Sequence, residues 1–232
     1  MDLKEDGLVN PGEHWYYRTK SAAIEAIIAR YAPGAESLLD VGAGSGFFAR
    51  TLVSSNHLAL KRATCVDPNY VEDWNEHALA FQRSLPDQPA DIVLLLDVLE
   101  HVEDDAELLA DSCQRLGSGG VIVITVPAFM ALWSSHDDYL EHYRRYRLAE
   151  VLDLAEASGL KVLHSRYLFG ALFPIAFLVR RVFGSVRPGR QSDLRPTHPI
   201  VDRILAGWFR FEHAVLRQRM VGLTAVVVGR KP

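Results

Sequence analysis

Cysteine is scarce in this chain of 232 residues, with Cys65 and Cys113 the two present. Two thiols make no disulfide framework, so the fold must rest on a buried core, and a reducing compartment is expected. An excess of one charge is also missing. Lys and Arg number 25 against 29 Asp and Glu, a formal net charge of −4. A general basic footprint for nucleic acid is therefore absent. No apolar run approaches the roughly twenty residues needed to span a bilayer. The opening residues Met1-Asp2-Leu3-Lys4-Glu5-Asp6 lack the basic-then-apolar order of a secretory leader. A cytoplasmic protein is the default expectation. No internal repeat or low-complexity block is evident. What remains is an ordinary globular composition, 49% hydrophobic, and a length that fits one domain over residues 1–232.

The densest signal is Leu38-Leu39-Asp40-Val41-Gly42-Ala43-Gly44-Ser45-Gly46-Phe47-Phe48. An apolar run ends in an acid, three glycines follow at alternate positions, and a helix-compatible segment comes next. That pattern reads as strand, tight turn and helix N-terminus, the nucleotide-binding corner of an α/β sheet. Gly42, Gly44 and Gly46 permit φ > 0 and close approach of a ligand to the main chain. The helix that follows points free N–H groups back at the corner. A dinucleotide fingerprint needs a small residue where Phe47 stands, which opposes a nicotinamide oxidoreductase, and there is no lysine of a P-loop.

These residues resemble motif I of the class I S-adenosylmethionine-dependent methyltransferases, (D/E)-x-G-x-G-x-G. The resemblance implies that S-adenosylmethionine is the cofactor. It also implies that Gly42, Gly44 and Gly46 pass under the methionine and ribose, and that Asp40 holds the ammonium end, directly or through water. Ala63-Thr64-Cys65-Val66 is a second strand ending in Asp67, which matches the family's ribose-binding acid. Asp91 to Leu96 reads as a parallel strand buried on both faces and ending in Asp97. The Val98-Leu99-Glu100-His101-Val102 sequence after it resembles a motif of small-molecule and lipid-precursor methyltransferases. By that likeness Asp97 lies beside the methionine part and His101 near the transfer site. The region before Pro86 lacks the acid that many members use for adenine and offers Gln82 and Ser84 instead.

Periodicity predicts a helix from Trp15 to about Tyr31, stopped by Pro33-Gly34. Seven strands are expected, alternating with helices, including one helix after the second strand. The fold class is α/β, a Rossmann-like doubly wound sheet. The resemblance adds the strand order 3-2-1-4-5-7-6 with strand 7 antiparallel. A helical cap, residues 168–220, enters between strands 6 and 7, and residues 1–35 form an N-terminal cap. Pro, Gly, Arg and Ser crowd between Ser185 and Pro199, which reads as an exposed, mobile loop within the domain.

Three segments can reach the acceptor. In Glu13 to Lys20, the resemblance places aromatic rings over the site and Arg18 on the cofactor carboxylate. Trp133 to Tyr146 resembles a His-Asp…His-x-Arg-Arg-Tyr stretch of a bacterial subset of these enzymes. His136 or His142 is the expected base, with His101 in reserve, and Arg144 and Arg145 suit an anionic acceptor. Ligand spacings there are not diagnostic of a metal, and none is expected. The apolar stretch Tyr167 to Val179 followed by Arg180-Arg181 suits a lid over a greasy acceptor, or peripheral membrane contact through residues 168–190 at the inner membrane face. The expected activity is methyl transfer to a small-molecule or lipid-linked oxygen. The rival reading is a cofactor-binding, non-catalytic partner or membrane-associated subunit.

Overall fold

Short aliphatic runs that alternate with amphipathic ones bury best as strands covered by helices, and the chain does this around one sheet. The structure, a computed structural model, describes residues 7–183, 198–215 and 220–232. Eight strands are present among the described residues: β1 (Ser37–Val41), β2 (Arg62–Val66), β3 (Trp74–Glu76), β4 (Leu79–Gln82), β5 (Ala90–Leu96), β6 (Leu116–Pro127), β7 (Lys161–Leu168) and β8 (Thr224–Arg230). They lie in the order β3-β4-β2-β1-β5-β6-β8-β7. With β3 set aside, this is the expected 3-2-1-4-5-7-6. The last strand, β8, runs antiparallel to both of its neighbours.

The two central strands carry the longest apolar runs because both of their faces are covered. Ile92, Val93, Leu94 and Leu95 of β5 are fully buried, as are Ile122, Val123 and Ile124 of β6. Each such side chain contributes roughly 1.5–3 kcal/mol of burial. On one face lie α1 (Trp15–Tyr31) and α2 (Phe47–Val53), on the other α3 (Asp105–Gln114) and α5 (Leu148–Ala157). Between β6 and α5 stands the short α4 (Ser135–Leu140). Helix α5 stops at Gly159, whose φ of +77° suits the residue after a helix end.

The region after β2 departs from expectation. No helix follows β2. Asp67 caps a turn through Asn69, and the chain returns as β3, antiparallel to β4. The cause is aromatic. Trp74 stacks on Phe81 at 4.2 Å, and Tyr70 packs edge-on to both rings. Those contacts favour a hairpin over a helix.

The expected cap is present between β7 and β8. It consists of α6 (Phe173–Phe183) and α7 (Pro199–Val215). Buried acids dock it: Asp202 accepts from Trp15 N at 2.8 Å, and Glu212 accepts from Gly170 N at 2.6 Å. The Arg- and Pro-rich stretch anticipated from Ser185 onward lies, as far as Thr197, outside the described residues.

Candidate active site

In a parallel sheet ligands bind beyond the carboxyl ends of the strands, where the order reverses. Here the reversal lies between β1 and β5, and a cavity of about 1390 Å³ opens there. Val41, Gly42, Asp67, Asp97, Tyr16 and Tyr17 are among the residues that line it.

The glycine corner is shaped by close approach as well as by φ. Gly42 has φ +68°, and a Cβ there would lie 2.6 Å from Val98 Cγ2. Asp67, 7% exposed, is held in place by the same turn. One carboxylate oxygen accepts from Gly44 N at 3.1 Å, and the other from Asn69 N at 3.0 Å and Asn69 Nδ2 at 3.1 Å. Gly44 and Gly46 shape the turn but do not line the cavity. Asp40 also lies outside the lining. It sits beneath the turn, 2% exposed, and its Oδ2 has no hydrogen-bond partner. Burial pushes its carboxyl up to about 7.

Asp97 occupies the left-handed region with φ +56°, directly after β5. Thr125 on the neighbouring strand β6 donates to Oδ1 at 3.0 Å, and Lys20 pairs with Oδ2. Lys20 is fully buried, its ammonium 5.8 Å from the Tyr16 ring centroid and 5.7 Å from that of Phe48. Burial opposes ionisation of Asp97, but the Lys20 ammonium holds its carboxyl below the usual range. Sequence reasoning assigned Arg18 to this region. The structure leaves Arg18 half-buried and off the cavity, and sends Lys20 to the acid. The signal was a lysine in line with Tyr16 and Ile24, four residues apart, on the face that packs on the sheet.

Across the cavity, α4 begins with Ser134 and Asp137 in a reciprocal cap. That cap fixes Asp137, which is fully buried. Asp137 accepts a two-pronged contact from Arg145, Nε to Oδ1 at 2.7 Å and Nη2 to Oδ2 at 3.0 Å. His142 Nδ1 meets Asp137 Oδ1 at 2.9 Å. Burial works against the charge, yet His142 and Arg145 hold this carboxyl well below the ordinary carboxylate range. The ionised Asp137 selects the tautomer with hydrogen on Nδ1, so the basic nitrogen of His142 is Nε2. The His142 ring meets that of His101 edge to face, centroids 4.5 Å apart. His101, His136, His142 and Arg145 all line the cavity. Arg145 is engaged by Asp137, and Arg144 bonds Asp105 and the Glu103 carbonyl outside the cavity lining, so neither presents a free guanidinium to an anion.

Glu100 lies within the single short helical turn Leu99–His101, and its side chain is fully buried, lines the cavity, and has no hydrogen-bond partner on either oxygen. Burial first and the Asp97 charge second push its carboxyl well above the usual range.

A sheet of this order, with acids at the tips of β2 and β5 and a glycine corner at β1, defines the methyltransferase class of α/β domains. Residues 13–165 match the methyltransferase domain family, and the chain belongs to it. A protein of Mycolicibacterium smegmatis named "Probable S-adenosylmethionine-dependent methyltransferase" is 25% identical over 158 residues, 65% of this chain and 61% of that protein. The chain thus spans about three fifths of that relative's length. Among solved structures, an S-adenosylmethionine dependent methyltransferase from Mesorhizobium loti superposes with a TM-score of 0.56 at 14% identity, over 96% of this chain and 100% of that one. A chain in the complex between the Haloferax volcanii Trm112 methyltransferase activator and its candidate methyltransferase gives 0.57 at 21% identity, over 95% and 90%. These likenesses establish the fold. The cofactor of the family is S-adenosylmethionine, and the residues fit it. An oriented carboxylate at Asp67 suits ribose hydroxyls, the cavity lining at Gly42 has no side chain, and the buried Asp40 has an oxygen to spare.

Proposed function

We propose that this chain transfers a methyl group from S-adenosylmethionine to an oxygen of a hydrophobic or lipid-linked small molecule. The observation that carries the reading is one cavity lined by Asp67 and Asp97 and also by His142, whose Nδ1 meets the buried Asp137. S-adenosylmethionine supplies an electrophilic methyl on a sulfonium sulfur. Asp67 holds the ribose hydroxyls, with Gly42 beneath. Asp97, fixed by Lys20 and Thr125, faces the methionine part. Asp40 acts on the ammonium end from below the turn. Tyr16 and Tyr17 exclude water from the methyl's path, which is the main demand of such a displacement. Nε2 of His142 takes the proton of the acceptor hydroxyl while Asp137 stabilises the imidazolium that forms. The new bond joins the acceptor oxygen to the methyl carbon, and the C–S electron pair leaves with sulfur. His136 lines the same wall as a second candidate.

The apolar acceptor is supported by the cap. Ile204, Trp208 and Phe211 of α7 and Ile175 and Leu178 of α6 are exposed. Asp202 and Glu212 of α7 are buried, whereas Arg203 and Arg210 are exposed, so the outer face of α7 is apolar and cationic. That combination suits an anionic membrane surface from which a greasy acceptor would be drawn. Among the described residues no helix is long and apolar enough to cross a membrane.

The test is a labelled-methyl assay on lipid and polar extracts, run with wild type, Asp67→Ala and His142→Ala. Asp67→Ala should weaken S-adenosylhomocysteine binding in calorimetry. His142→Ala should slow turnover and leave that binding intact. Cofactor binding without turnover on any extract would favour a non-catalytic subunit.

A further inference from the structure

We infer that Glu100, His101 and His142 form a site for a first-row divalent transition-metal ion in the cavity wall. One ligand atom from each residue lies within 4.8 Å of the other two. Small side-chain rotations would bring all three to the roughly 2.0–2.2 Å that imidazole nitrogens and carboxylates keep from such ions. The residues come from two places. Glu100 and His101 stand on the turn after β5, and His142 follows α4. Backbone ties the two together, since Tyr143 N donates to the Glu100 carbonyl at 2.7 Å.

Two observations beyond proximity point to a cation. The first is Glu100. A fully buried carboxyl without a hydrogen-bond partner on either oxygen is costly, and a bound cation would relieve that cost. The buried cations Lys20 and Arg145 are paired with Asp97 and Asp137. The second is the support behind His142. Metal-binding imidazoles usually give their other ring N–H to a carboxylate, which fixes tautomer and ring plane. Asp137 does this at Nδ1, and Arg145 locks Asp137 in turn. Two imidazoles and one carboxylate suit Mn, Fe, Co, Ni or Zn better than the all-oxygen cages of Ca or Mg.

Three protein ligands leave positions open toward the cavity, where the acceptor must lie. An acceptor hydroxyl bound there would lose its proton to solvent more readily, because coordination lowers its pKa. In the metal-bound form the ion takes over the deprotonation assigned above to His142. This consequence rests on the proposed methyl transfer. Ion binding itself does not.

Untagged, chelator-stripped protein should be titrated with Co²⁺ and followed by visible absorption, with S-adenosylhomocysteine calorimetry in parallel. A saturable band is expected in the wild type and in His57→Ala, a surface variant. Glu100→Gln and His142→Ala should lose more than about tenfold in Co²⁺ affinity, since even losing an outer partner costs that much. Should Glu100→Gln fail to fold, His101→Ala carries the same comparison. No saturable band, or equal affinity in wild type and ligand variants, overturns the site. Cobalt bound by the trio with no nucleoside binding would sink the methyltransferase reading and support the metal. Nucleoside binding without cobalt would do the reverse.

Discussion

Replacing Gly46 by alanine should cost more than backbone strain alone, and the excess is measurable. Gly46 has φ +72° and leads into α2. A side chain in the left-handed region costs roughly 1–2 kcal/mol. The new Cβ would also lie 2.7 Å from Phe81 Cε1 and 3.0 Å from Cζ. Phe81 cannot retreat, because it is 1% exposed, with Trp74 stacked on it at 4.2 Å and the Arg50 guanidinium 4.9 Å from the ring centroid. Overpacking of this kind adds about 1–3 kcal/mol. Gly159 is the control, since its φ is +77° but nothing lies within 4 Å of an added Cβ. Gly159→Ala should therefore show the strain alone. At roughly 2–4 °C per kcal/mol for a chain of this size, Gly46→Ala should melt about 2–12 °C below Gly159→Ala in differential scanning calorimetry. Equal melting temperatures would refute the reasoning, because the ring would then not constrain the corner.

Two further outcomes follow from burial and exposure. Asp40 ionises near pH 4 in the unfolded chain but only at about 7 in the fold, so between those values the folded state holds more protons. Wild-type stability should fall as pH rises through that window, and Asp40→Asn should remove the fall. Urea denaturation at pH 5 and pH 8 reads this as a stability difference, variant minus wild type, that grows with pH; the same difference at both values would count against it. The outer face of α7 should hold the protein on anionic vesicles, and Trp208→Asp with Phe211→Asp should release it. Co-sedimentation at two salt concentrations checks this, and no binding to phosphatidylserine vesicles would remove the membrane from the picture.

What could be read in the sequence follows the range of the interaction that fixes each element. The glycine corner is local, so Leu38 to Phe48 shows its turn directly. The central strands are equally plain, because Ile92 to Leu95 and Val121 to Ile124 have no polar residue to place on either face. The hairpin at Trp74 was not legible. Its three strand residues, Trp74, Asn75 and Glu76, show no alternation, and their conformation depends on a ring seven residues away in β4.

The cavity chemistry depends on contacts of longer range still. Asp97 could be placed at a strand end, but its partners come from α1 and β6, which only the sheet order brings to it. Lys20 stood in plain view among Tyr16 and Ile24, and the spacing put it on the buried face. A lysine there must either lose its charge or find an acid, and the tip of β5 is where α1 meets one. The same logic applies to Glu100. A carboxylate beside a histidine at the start of a helical turn looks like capping until the chain folds back and His142 arrives with Asp137 already behind it. At that point the Glu100 carboxyl is fully buried with no hydrogen-bond partner on either oxygen, a condition that a cation in the cavity would relieve.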